Sequence, residues 1–241
     1  GIGELNPAKF PDFYVRLPEF CNLAAQQGLY LELTAFTGGP IPGHWDAIGQ
    51  SLHEAGTTNA IIELTNENNA HAVNINPDAY APLTGLMCSH GSNASQNPPI
   101  RPWWNYETLH YNDAFEWQRK VGHNTMEWTW GAEGIPASHV PALANENTRP
   151  DRDGNIMHHY DAAAAATLLC GGSCFHSNSG KASFTFSQVD AVAAAQWVAG
   201  ARSVPLEFQA GRYNRQDPGQ DLRVYSRQLP DGRKHNVRIR K

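Results

Sequence analysis

Six apolar runs of strand length recur along this chain, and most are separated by segments of helical periodicity. Residues 11–27 set Phe13, Leu17, Phe20, Leu23 and Ala24 at helical spacing, and Gly28 stands where a left-handed residue closes a helix. The run 29–36 then reads as a buried strand, 44–56 as a short helix and 59–65 as the next strand. The alternation continues with a helix over 78–84 and strands at 86–90 and 107–111. A helix over 113–122, a strand at 140–144, an Ala-rich helix over 161–170, a strand at 172–176 and a helix over 187–201 follow. Strands alternating with helices at this spacing predict an α/β fold with a parallel sheet. After Pro205 the period changes to two, and 222–229 with 235–239 around Pro230-Asp231-Gly232 predicts a β-hairpin. The expected organisation is therefore a β/α unit over 1–205 with a hairpin extension over 206–241 packed on it.

Polar residues gather where the strands end. The tripeptide Asn-Glu-Asn occurs there twice, as Asn66-Glu67-Asn68 and Asn145-Glu146-Asn147. His90, His110 and His176 each close a predicted strand, either as a polar ring holding substrate hydroxyls or as buried, hydrogen-bonded core residues. No Gly-x-Gly-x-x-Gly or Walker sequence opens a helix, so a nucleotide-binding sheet is disfavoured and no cofactor is implied. Polar groups at the carboxyl ends of parallel strands mark the active face of a (β/α)8 TIM barrel. Two carboxylates facing one substrate are the working parts of a glycosidase. Tryptophan faces stack on pyranose rings, which makes Trp45, Trp103, Trp104, Trp128 and Trp130 candidate sugar platforms. Trp117 and Trp197 fall within helices and are expected to pack.

The net charge of −5 argues against a nucleic-acid partner. The one strongly basic stretch, at Arg233-Lys234 and Arg238-Ile239-Arg240-Lys241, reads as a solvated tail. No run of 18 apolar residues exists, so no membrane-spanning helix is expected. Cys21, Cys88, Cys170 and Cys174 fit no zinc spacing. Buried free thiols are expected instead, with a 170–174 bridge as the alternative, and the compartment stays open. Adjacent His158 and His159, near Asp161, point in different directions and are expected on a surface loop or helix start rather than around a metal.

With the two Asn-Glu pairs placed on strand ends, the chain resembles the clan A glycoside hydrolases, retaining enzymes of the cellulase-like and β-glycosidase-like kind. The resemblance spans most of 11–205. It implies that Asn66-Glu67 ends the fourth barrel strand, with Glu67 as acid/base and Asn66 on the sugar 2-hydroxyl. It further implies that Glu146 ends the seventh strand as nucleophile, supported by His110 or Tyr111 from the sixth. Glu127, in Met126-Glu127-Trp128, is the rival nucleophile. The clan's Pro after Asn-Glu is replaced by Asn68, its eighth-strand Trp by Phe175 and His176, and its second-strand Arg has no counterpart. Counted this way, about six βα units are present and the barrel begins at its third strand. Open strand edges then call for cover, and a homodimer is the expected partner beside the carbohydrate substrate. Two other classes fit the same residues: a barrel that binds carbohydrate without turning it over, and a metal-dependent hydrolase using the histidines.

Overall fold

The computed structural model describes residues 7–68, 70, 75–91, 104–109, 142–144, 172–173, 188–210, 212–219 and 222–240. These fall into two compact units, 1–108 and 109–241.

In the first unit, α1 (Phe13–Gln26), β1 (Leu31–Phe36), α2 (His44–Glu54), β2 (Ala60–Thr65) and β3 (Met87–Gly91) follow in order. Both helices end the same way. Gly28 takes φ 71°, Leu29 N–H reaches back to the Ala24 carbonyl at 3.0 Å and Gly28 N–H to Ala25 at 2.9 Å. Gly56 takes φ 63°, with Thr57 N–H on Leu52 and Gly56 N–H on His53, both at 3.0 Å. These paired 6→1 and 5→2 bonds satisfy the last helical carbonyls and turn the chain into the following strand. Asn59 fixes the first of these corners, donating its amide to the Cys21 carbonyl at 2.9 Å and the Leu29 carbonyl at 3.0 Å.

The expected helix over 78–84 shrinks to a single 3-10 turn, Pro77–Ala79, capped by the Asn76 side chain on Asp78 N–H. Pro82 explains the difference, because the residue before a proline is pushed out of the helical region.

The sheet runs β1-β2-β3, all parallel, with Leu33 opposite Ile62 and Ile62 opposite Cys88. One face is apolar. Leu31, Leu33 and Ala35 join Ile62, Leu64 and Cys88 against Cys21 of α1 and Trp45, Ile48 and Leu52 of α2. Cys21 and Cys88 are buried free thiols, as expected, and burial pushes the Cys88 thiol up to about 11. A thiol in that state is an inert packing residue.

His44 sits among Phe13, Tyr14 and Phe36 and is 3% exposed. Its Nδ1 lies 2.8 Å from the Tyr14 hydroxyl. Burial, opposed only in part by a hydrogen bond to the Ala35 backbone, lowers its pKa below 6.5. Below that pH the unfolded chain takes up the proton before the folded one does. The stability tied to His44 is thus present above pH 6.5 and is lost as the pH falls. The urea midpoint of the natural chain should drop more between pH 7.5 and pH 5 than that of His44→Gln. Equal drops would show that His44 titrates alike in both states.

In the second unit, β5 (Ala142–Ala144) pairs in parallel with β6 (Gly172–Ser173). Helix α3 (Gln188–Arg202) follows and buries Trp197, in line with its expected packing role. A 3-10 turn, Leu206–Ala210, leads into an antiparallel sheet of β7 (Arg212–Gly219), β8 (Leu222–Gln228) and β9 (Lys234–Arg240). The predicted hairpin is β8–β9, closed by Gly232 N–H on the Leu229 carbonyl at 3.0 Å. Strand β7 is an addition. Its sequence, RYNRQDPG, has no apolar alternation to announce it, and a strand at the sheet's edge tolerates Pro218. The basic stretch expected as a tail is mostly strand β9.

Candidate functional site at the carboxyl edge of the parallel sheet

Strand β2 delivers Asn66 and Glu67 at its carboxyl end. Asn66 N–H still bonds the Phe36 carbonyl at 2.9 Å, so the ladder with β1 runs one residue past the strand. Glu67 then breaks it with φ 43°, the one non-glycine residue with positive φ among the described residues. Its carbonyl accepts from Ala70 N–H at 2.8 Å, which closes a turn. A left-handed glutamate costs on the order of 1 kcal/mol or more, and such strain is kept where surrounding structure over-determines it.

Strand β3 ends beside this turn. Thr65 Oγ1 donates to the His90 carbonyl at 3.0 Å. Gly91, at φ 114°, lies so close to Thr65 that a Cβ there would sit 2.1 Å from the Thr65 carbonyl oxygen.

Alternation along β3 separates His90 from the polar side of the sheet. Ser89 faces that side, so Cys88 and His90 face the helices. His90 is 2% exposed and meets the edge of Trp104, ring centres 4.1 Å apart. Trp104 in turn stacks on Trp45 at 5.6 Å. Trp45 is 3% exposed and spends its indole N–H on the Ala81 carbonyl at 2.8 Å. Trp45 and His90, expected to face sugar directly, therefore stand behind Trp104, which is partly exposed.

The sheet's other face carries polar residues that stand within the strands and not at their ends. Glu63 is fully buried and accepts from Thr34 Oγ1 at 2.7 Å. Glu32 accepts from the Tyr106 hydroxyl at 3.0 Å and from Thr108 Oγ1 at 3.3 Å. Thr108 and Ser89 hydroxyls lie 2.8 Å apart. Burial first, and then the Glu32 and Glu63 charges, raise the Tyr106 pKa well above its usual value, so the phenol stays a proton donor. The sequence signal was an alternation, Leu31-Glu32-Leu33-Thr34 and Ile62-Glu63-Leu64-Thr65, which marks a strand with one apolar and one polar face.

These contacts also measure curvature. Cys88 uses both its N–H and its carbonyl on Asn105, which puts 105–108, leading into β4 (Glu107–Leu109), along the edge of β3 away from β2. Glu32 on β1 is then three strand spacings from Thr108, about 14 Å in a flat sheet. A threonine and a glutamate cannot bridge that distance. The sheet must curl toward its polar face.

Glu146, Glu127, His110, Tyr111, Trp103, Trp128, Trp130 and His176 lie outside the described residues, as do Cys170, Cys174, His158, His159 and Asp161. Among the described residues no group of three His, Cys, Asp or Glu is placed to hold a metal ion, and no helix is long and apolar enough to cross a membrane. No family model, curated protein or solved structure compared with this chain matches it.

Proposed function

We propose that the chain is a retaining β-glycosidase of the (β/α) barrel kind, with Glu67 as acid/base and Glu146 as nucleophile. The observation that carries this reading is Glu67 itself: a carboxylate held in a left-handed turn at the carboxyl edge of a parallel sheet. The curl of that sheet toward a buried polar face supports the barrel, since closure requires each strand to turn from its neighbour.

In this reading Glu146 attacks the anomeric carbon while Glu67 protonates the leaving oxygen. Glu67 then takes a proton from water as the glycosyl-enzyme is hydrolysed. Asn66, one residue before Glu67, binds the 2-hydroxyl, and the partly exposed Trp104 offers its face to a sugar ring. A homodimer belongs to the same proposal; exposed Val15, Phe20 and Leu23 on α1 are apolar surface that it could bury.

The test is turnover of a panel of nitrophenyl β-glycosides, with the first-formed anomer read by proton NMR. A β-anomer released first supports the double displacement. An α-anomer moves the chain to the inverting class, and no turnover on any sugar of the panel overturns the proposal.

A further inference from the structure

Ten of the chain's 18 lysines and arginines fall within residues 202–241, against four of its 23 acidic residues. Strand β9 orders part of this charge. Lys234, Asn236 and Arg238 alternate along it and are all exposed. The residues between them turn the other way, His235 against the Phe208 ring at 5.4 Å and Val237 opposite buried Tyr225.

The cross-strand register carries the row across the sheet to Arg212, Asn214 and Gln216 on β7. Of the β8 residues between them, Ser226 and Val224 are buried on this same face, which is therefore covered there, and the open surface is the β9 row. No carboxylate stands on any of these three cross-strand rows. Lys234 and Arg238 make no ion pair among the described residues, whereas neighbouring Arg233 is held by Asp231 at 2.8 Å and Glu207 at 2.9 Å.

Charge on an edge strand guards against edge-to-edge pairing. That need, which lysine serves best, accounts for single cations on the edge but does not require the three cross-strand rows to be without a carboxylate. Lys234 and Arg238 stand about 13 Å apart along the strand, too far for one small anion and suited to an extended chain carrying several. The rows hold amides and no aromatic ring, so bases have nothing to stack on and single-stranded nucleic acid is disfavoured.

We propose that the exposed β9 row binds an anionic polysaccharide, Lys234 and Arg238 meeting its carboxylate or sulfate groups and Asn236 its hydroxyls. The choice of a sugar polymer rests on the glycosidase reading, but the binding needs no turnover. The test is electrophoresis of the Glu67→Gln chain through gels holding polygalacturonate, dextran sulfate, neutral dextran or single-stranded DNA. Retardation is expected in polygalacturonate or dextran sulfate, and which of the two retards the chain tells carboxylated from sulfated polymer. None is expected in neutral dextran. The slope of log affinity on log salt should fall by about two in K234Q/R238Q. Both positions are exposed, and an unchanged urea midpoint verifies that the variant is folded. No retardation by either anionic polymer, equal retardation of the double variant, or stronger retardation by DNA overturns the proposal. Because turnover by the natural chain is measured separately, lost binding with intact turnover overturns this inference alone. Intact binding without turnover overturns only the glycosidase.

Discussion

If the chain is the proposed glycosidase, Glu67→Gln is expected to hydrolyse alkyl β-glycosides about 10²–10⁴ times more slowly than the natural chain, yet still to react rapidly with a 2,4-dinitrophenyl glycoside. The difference comes from the leaving group. An alkoxide cannot depart without a proton, so loss of the acid stops the first step. Dinitrophenolate departs unaided, so the glycosyl-enzyme forms and then waits for a base to activate water. A burst of dinitrophenolate followed by slow turnover is the expected trace. Added azide, which needs no base, should restore turnover and yield a β-glycosyl azide. Glutamine fills nearly the same volume as glutamate, so a folding defect is not the expected cause of the loss. Equal loss on both leaving groups would remove Glu67 from the acid/base role, and no loss on either would remove it from the site.

Gly91→Ala unfolds the chain more easily, by about 3 kcal/mol or more. Two costs add. The backbone at φ 114° is one that side chains rarely adopt, and the new methyl would lie 2.1 Å from the Thr65 carbonyl oxygen. That oxygen belongs to a strand that is itself buried, and Thr65 is also tied to the His90 carbonyl. Relief therefore means separating β2 from β3. Gly85→Ala is the control: its φ is 76°, but its nearest neighbour, His53 Nδ1, stands at an ordinary 3.7 Å. Urea denaturation should place Gly85→Ala close to the natural chain, at about 1 kcal/mol, and Gly91→Ala well below it. Equal midpoints would mean that β2 and β3 yield freely at their carboxyl ends.

The elements legible in the sequence were those with a local mark. Gly28 and Gly56 announced both helix ends, and apolar runs located β1, β2 and β3 to within two residues. The hairpin β8–β9 followed from its alternation and its Pro-Asp-Gly turn. What escaped notice lacked such a mark or depended on distant residues. Strand β7 takes its conformation from pairing with β8, not from its own composition. The helix over 78–84 looked periodic, but Pro82 forbade it.

At the candidate site, Asn66 and Glu67 were found because a strand visibly gave out there. Residue type places Trp45 and His90 at the substrate but cannot say which side of an element is turned inward. Glu32 and Glu63 lie inside runs whose composition marks them only as buried strands. The partners of Glu32, Tyr106 and Thr108, lie more than 70 residues away, and that of Glu63, Thr34, lies on the neighbouring strand, both beyond any local pattern.

That separation bears on the order of folding. Each parallel crossover in the sheet joins strands about 30 residues apart, a short closure for the chain to make. The bonds from Tyr106 and Thr108 to Glu32 close loops of 74 and 76 residues, among the longest-range contacts of the first unit. Contacts of such range form slowly and after local ones. Glu32 is therefore expected to gain its partners only when residues 105–108 arrive, after the helices dock on the apolar face, and pulse-labelling hydrogen exchange that protects both faces of the sheet together would count against that order.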